Sequence, residues 1–193
     1  MSFVQQALKD AHKTLEAALS HKPFIDQLET AVEALATGLQ TDHSVMSCGN
    51  GGSMCDAIHF AEELTGRYRK DRRPLKAFAM GDSAHMSCVA NDFGYDFVFS
   101  RIVEAWGQKG DFLLAISTSG NSKNVIKAVE AAKLKGMKII GLLGKGGGLL
   151  KDMVDYPIIV PSDVTDRIQE VHIKAIHIMI EGVERKLFPE HYA

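Results

Sequence analysis

The sequence predicts an α/β fold, a mainly parallel sheet covered by helices on both faces. Three observations predict it. From residue 44 onward, short apolar runs alternate with stretches of helical periodicity, which is the pattern of βαβ units. Two of the apolar runs end in a Gly-rich or Ser-rich loop that opens a helix, the arrangement by which such folds place ligands at the carboxyl ends of their strands. The chain, at 193 residues with 46% hydrophobic, is also long enough to bury about 70% of its unfolded surface in one domain.

The elements follow in order. Val4, Leu8, Ala11, Leu15 and Leu19 lie at helical spacing and predict a helix over 3–19. Phe24, Leu28, Val32, Leu35 and Leu39 predict a second over 24–39, started by Pro23. Neither helix carries chemistry. Residues 1–40 therefore read as elements for packing and subunit association, and 44–193 as the α/β core of a single domain spanning 1–193. Val45 to Cys48 reads as a strand, followed by a Gly-rich loop and a helix from Ser53 to about Arg67. Lys76 to Met80 is a second strand. Ser83 to Ala90 predicts a short helix, and Asp96 to Trp106 a longer one. Phe112 to Ile116 is a strand, then a polar loop, then a helix from Ser122 to Lys135 that Gly136 stops. Met137 to Leu143 is a strand, and Gly144 to Gly148 a flexible loop. Pro157 to Val160 is the last strand, and a helix from about Asp163 to Leu187 closes the pattern.

Composition excludes several classes. A formal charge of −2 argues against a nucleic-acid binder. The densest basic run, Arg67, Arg69, Lys70, Arg72 and Arg73, reads as a solvated connection after a helix, or as a contact to an anion or a neighbouring subunit. Cys48, Cys55 and Cys88 form no C-x-x-C pair and suit reduced thiols of a cytoplasmic protein. No signal peptide is expected, and no apolar stretch nears the roughly 20 residues that span a bilayer, so no membrane partner is expected.

The loop Ser47 to Ser53 holds Gly49, Gly51 and Gly52. Glycines let backbone N–H groups approach an anion, and the helix that follows adds partial positive charge. Neither a dinucleotide fingerprint nor a Walker A register fits: position 54 is Met54 and position 146 is Gly146. The loop Ser117-Thr118-Ser119-Gly120-Asn121-Ser122 sets four hydroxyls around one glycine. Ordinary N-capping explains one of them, not four. Two such loops point to a phosphorylated small molecule.

The run Ser47 to Tyr68, the segment Asn91-Asp92-Phe93-Gly94, the loop Ser117 to Ser122, and Asp166-Arg167-Ile168-Gln169-Glu170 continuing to His177 together resemble the phosphoheptose isomerases of the SIS (sugar isomerase) family. The resemblance spans nearly the whole chain. It implies a single SIS domain, a flavodoxin-like parallel sheet sandwiched by helices, with an N-terminal helical extension, assembled as a homotetramer. It implies conversion of sedoheptulose 7-phosphate to D-glycero-D-manno-heptose 7-phosphate, the first step toward ADP-heptose for lipopolysaccharide. It also implies one zinc ion per subunit, with His59, Glu63, Gln169 and His177 as ligands. Substrate contacts carried over are Asn50, Gly51, Gly52, Ser53, Glu63, Asn91, Asp92, Ser117, Thr118, Ser119, Ser122 and Gln169. A second resemblance, to the DnaA initiator-associating proteins, covers the same fold and the Leu187-Phe188-Pro189 ending. That group lacks the acid at position 63 and the histidine at position 177, and both are present here. Another SIS isomerase acting on a hexulose phosphate is the third reading.

The residues bear on this chemistry directly. His59 and Glu63 are four apart on one helix face, a spacing that binds a metal or pairs a base with its partner. Glu62 points about 100° away. Gln169 and His177 are separated by two turns, roughly 12 Å of rise, so a shared ion needs stretched side chains or ligands from two subunits. His172 between them faces the site or packs in the core. Aldose–ketose isomerisation through a cis-enediol needs a base at carbon and a group that moves a proton between oxygens. Glu63 is the base and His177 the acid–base partner, with zinc as Lewis acid.

Overall fold

A computed structural model describes all of residues 1–193. Five strands form one sheet: β1 (Val45–Cys48), β2 (Ala77–Ala79), β3 (Phe112–Ser117), β4 (Lys138–Leu143) and β5 (Tyr156–Ile159). Every neighbouring pair is parallel, and the order is β2-β1-β3-β4-β5. This is the doubly wound order of flavodoxin-like folds, in which the winding reverses between β1 and β3. All six residues of β3 are buried. Phe112, Leu114 and Ile116 face one core, while Leu113 and Ala115 face the other. That alternation is the two-residue period of a strand, and it requires helices on both faces.

Helices α1 (Phe3–Ser20), α2 (Lys22–Gln40), α3 (Gly52–Thr65) and α7 (Thr165–Leu187) cover the first face. Helices α4 (Ser83–Asp92), α5 (Ser100–Trp106) and α6 (Lys123–Leu134) cover the second. The N-terminal pair differs from a simple appendage. Helix α2 belongs to the main core, burying Phe24, Leu28, Val32, Leu35 and Leu39. A side chain at Gly182 would meet Val32 within 2.5 Å, so glycine is what lets α7 lie so near α2. Helix α1 buries only Ala18 and leaves Phe3, Val4, Leu8, Leu15 and Leu19 exposed.

Two elements differ from the sequence pattern. The helix expected over 96–106 is a 3₁₀ turn, Tyr95–Phe97, followed by the shorter α5. Val98, Phe99 and Ser100 are all buried, and consecutive residues on a helix point 100° apart, so one straight helix cannot bury all three. The loop expected to be flexible over 144–148 contains a 3₁₀ turn at Lys145–Gly147 and buries Gly147. Gly146, Gly147 and Gly148 take φ of +72°, +88° and +54°, the left-handed region that glycine enters without strain.

The basic run is not uniformly solvated. The Arg72 side chain is fully buried and pairs with the buried Glu184 carboxylate on α7 at 2.9 Å. Its remaining donors reach the carbonyls of Glu63 (2.6 Å), Leu64 (2.8 Å) and Gly66 (2.9 Å). Those carbonyls end α3 and have no helical N–H partner of their own. Tyr192 donates to the other Glu184 oxygen. Replacing Arg72 with Ala removes the cation beside a buried carboxylate and takes a donor from three carbonyls, of which Leu64 keeps the Leu75 N–H. The expected loss is about 3–5 kcal/mol of unfolding free energy by urea denaturation. A loss under about 1 kcal/mol, the size of a surface ion pair, would refute the role given to Arg72.

His172 belongs to the core rather than to the site. It is fully buried, with Nε2 3.1 Å from the Leu143 carbonyl. Burial holds its imidazole down at about 4, although the Leu143 bond acts the other way. Above its ordinary value of 6.5 the ring is neutral folded and unfolded, and has no effect on stability. Between roughly 6.5 and 4 the unfolded chain takes up a proton that the folded chain refuses, so stability falls as pH falls through that window. Asp56, pushed up to about 6 by burial, has the opposite sign. His172→Gln should therefore lose less Tm than the wild type between pH 7 and pH 4.5. An equal loss in both proteins would show that His172 does not carry the acid sensitivity.

Candidate functional site

The reversal of winding between β1 and β3 brings the ends of those two strands side by side, and a crevice opens there. The Gly-rich loop leaves β1 at Cys48, and the Ser-rich loop leaves β3 at Ser117. Gly51, at φ +56°, turns the first loop into α3. A side chain at Gly49 would stand 2.6 Å from the Ser53 carbonyl, which keeps the turn tight. The N–H groups of Asn50, Gly51 and Gly52 have no acceptor within the chain. They lie at the positive end of the α3 dipole and are arranged for an anion. Ser53 is buried at the first turn of α3.

In the second loop the hydroxyls face one another. Ser117 Oγ lies 3.0 Å from Ser122 Oγ and 3.5 Å from Ser119 Oγ. Ser122 holds the N-cap position of α6 but makes no capping bond, so its hydroxyl is not accounted for as a cap. The Gly144–Gly148 segment closes over this loop. Leu150 N–H donates to the Gly120 carbonyl at 3.0 Å and Leu149 N–H to Asn121 Oδ1 at 3.0 Å. A side chain at Gly120 would overlap the Gly147 carbonyl at 1.9 Å. This clamp over the Ser-rich loop is a structural feature that the sequence pattern missed. Its signal was the run of three glycines, which a merely flexible loop does not need.

Asn91 and Asp92 occupy the last turn of α4 and are exposed, joined by a 2.8 Å bond from Asn91 Nδ2 to Asp92 Oδ1. The segment after them touches the first loop, where Tyr95 donates to Asn50 Oδ1 at 3.1 Å.

His59, Glu63 and His177 converge. His59 Nε2 is 3.3 Å from Glu63 Oε1 and 3.2 Å from His177 Nε2, and the three potential ligand atoms lie within 4.8 Å of one another. Two imidazole nitrogens at that distance share at most one proton, so at least one lone pair points into the cluster. Burial, and then the neighbouring His59, lower the His177 pKa, with Glu63 opposing them. The cluster can hold a metal ion or move a proton. The Tyr68 ring stands 6.0 Å from His177 and walls one side. Gln169 lies elsewhere along α7, with its amide against Gly52 at the start of α3 and no hydrogen bond to the cluster. One turn before His59 on α3, Asp56 keeps a buried oxygen with no hydrogen-bond partner.

Known proteins resemble this chain in sequence and architecture. The model of the SIS domain family matches residues 8–144. A phosphoheptose isomerase of Edwardsiella ictaluri is 54% identical over 96% of this chain and 96% of its own length. That of Fusobacterium nucleatum is 55% identical over 86% of each. The solved phosphoheptose isomerase of Neisseria gonorrhoeae superposes with a TM-score of 0.88 at 39% identity, covering 94% of this chain and 96% of that one. The structure from Francisella tularensis also reaches 0.88, at 35% identity and the same coverage. Family model, relatives along nearly the full length and matching architecture agree: the chain belongs to the SIS-domain family, among its phosphoheptose isomerases.

Proposed function

We propose that the protein isomerises sedoheptulose 7-phosphate to D-glycero-D-manno-heptose 7-phosphate in the cytoplasm, as the first step toward ADP-heptose for lipopolysaccharide. The observation that carries this reading is the His59–Glu63–His177 cluster, in a chain whose relatives bear the name phosphoheptose isomerase.

The phosphate goes to the two loops. The free N–H groups of Asn50, Gly51 and Gly52, with Ser53 behind them, and the hydroxyls of Ser117, Thr118, Ser119 and Ser122 offer donors from two strand ends. Asn91, Asp92 and Gln169 serve the sugar hydroxyls. The Glu63 carboxylate takes the proton from the carbon beside the carbonyl and returns it to the neighbouring carbon once the cis-enediol has formed. His177, its basicity lowered by burial, is neutral near pH 7 and moves the proton between the two oxygens.

The cluster suits zinc. In a tetrahedral site with bonds of 2.0–2.1 Å, ligand atoms stand about 3.3 Å apart; the two separations from His59 are 3.2 and 3.3 Å, and the third lies within 4.8 Å. His59, Glu63 and His177 would hold the ion, and Gln169, which packs against Gly52 two turns away on α7, would complete the set only across a subunit boundary. Bound there, zinc would supply a Lewis acid for the carbonyl oxygen, and Glu63 and His177 would each carry a proton only through an atom not bound to the ion.

Glu63 stands eleven residues beyond Gly52 on α3, roughly 16 Å of rise, which is longer than an extended seven-carbon phosphate. That span favours a site shared between subunits, the loops from one and the cluster from another. A homotetramer fits this reading, and the exposed apolar stripe of α1 gives it a surface.

Two experiments test the assignment. Elemental analysis of dialysed His59→Ala and Gln169→Ala should show zinc binding weakened by at least the roughly 10–100-fold typical of lost supporting groups. One zinc per subunit in both variants would remove the four-ligand set. Glu63→Gln at full zinc occupancy should bind sedoheptulose 7-phosphate while kcat falls about 10²–10⁴-fold. Retention of more than about a tenth of kcat, far above that range, would exclude Glu63 as the base.

A further inference from the structure

The side chain of Asn50 is almost fully occupied. Its Nδ2 donates to Asn124 Oδ1 at 2.9 Å, and its Oδ1 accepts from Asn124 Nδ2 at 2.8 Å, a reciprocal amide pair. Tyr95 adds a second donor to the same oxygen at 3.1 Å. An amide oxygen has two lone pairs and an amide nitrogen two hydrogens, so Asn50 has one N–H left. Asn124 is buried, and its Oδ1 also accepts from the Val125 N–H at 3.0 Å.

The three residues come from three segments. Asn50 lies in the loop after β1. Asn124 is the second residue of α6, just past the Ser-rich loop after β3. Tyr95 follows Asn91-Asp92-Phe93-Gly94. No other hydrogen bond joins the two loops. The pairing of β1 with β3 sets where the two loops begin, and the Asn50–Asn124 pair fixes the Gly-rich loop beyond that point.

We propose that Asn124 and Tyr95 are positioning residues. They lock Asn50 so that the main-chain N–H groups of Asn50, Gly51 and Gly52 face the phosphorylated sugar, and the Asn50 side chain itself does not carry the contact. This rests on the function proposed above. It differs from direct recognition in one respect: Asn50 acts only through its partner, so removing either member of the pair has the same result.

The test is a double-mutant cycle with sedoheptulose 7-phosphate, reading KM and kcat separately, with Tm recorded for every variant. Asn50→Ala and Asn124→Ala should each raise KM about tenfold, the effect of one or two lost hydrogen bonds on loop position, with kcat within about threefold. The double variant should be no worse than either single, because the pair is one unit. Tyr95→Phe keeps the ring and removes one exposed bond, so KM should rise about two- to threefold. If Asn124→Ala fails to fold, Asn124→Ser, which retains an oxygen for the Val125 N–H, takes its place. Asn50→Ala more than about tenfold worse than its Asn124 counterpart would mean that the Asn50 side chain contacts substrate, and the proposal falls. Unchanged KM in the Asn124 variants would also overturn it. If the wild type does not turn over this sugar, the functional reading alone fails. The same cycle is then read from the Kd for inorganic phosphate, where equal singles and a non-additive double are again required.

Discussion

The reversal of winding between β1 and β3 is the constraint on which the rest depends. Parallel strands need long crossovers, and right-handed crossovers on opposite faces carry the chain away from β1 on one side and from β3 on the other. The two strand ends are therefore left together with no connection over them. The two loops proposed to take the phosphate sit at that gap, with backbone N–H on one side and hydroxyl on the other. A sheet wound in one direction only would bury both loops under crossovers. The order β2-β1-β3-β4-β5 thus does chemical service before any side chain is chosen.

The second group of functional side chains is placed by helix contact rather than by strand ends. His59 and Glu63 ride on α3 and His177 on α7, so the cluster exists only while those helices keep their register. Burying the Arg72 guanidinium with Glu184 carries a desolvation cost that an apolar pair would avoid, and such pairs are weak contributors to stability. What the pair supplies here is direction. Its planar fork meets one carboxylate and three helix-end carbonyls at once, which fixes where α3 stops relative to α7.

Much of this was legible in the sequence, for physical reasons. Strands such as Phe112–Ser117 announce themselves because a strand buried on both faces must be apolar throughout. The Gly-rich and Ser-rich loops stand out because few contexts require those residues in succession. The spacing of His59 and Glu63 is local, so one helix period reveals it. The rest depends on residues distant in the chain. Asn124 looks like any polar residue in a first helical turn until Asn50 is seen opposite it, 74 positions earlier. Arg72 reads as one more surface cation until Glu184 appears beside it, 112 positions later. The break at Val98 and Phe99 follows from tertiary burial overriding a helical period that continues in the sequence. The convergence of His177 with His59 was implied by resemblance alone, since periodicity says nothing of which helices meet.

The buried pair also bears on how such a protein can change over generations. A substitution at position 72 or 184 alone leaves an uncompensated charge in the interior and loosens the end of the helix that carries Glu63. Replacement of both by fitting apolar residues need not weaken the fold, but the single steps toward it do. The two positions are thus expected to drift jointly or not at all, held in place by the intermediates between present and alternative sequences and not by any part in the reaction. A residue can be retained in an enzyme in this way without touching its substrate.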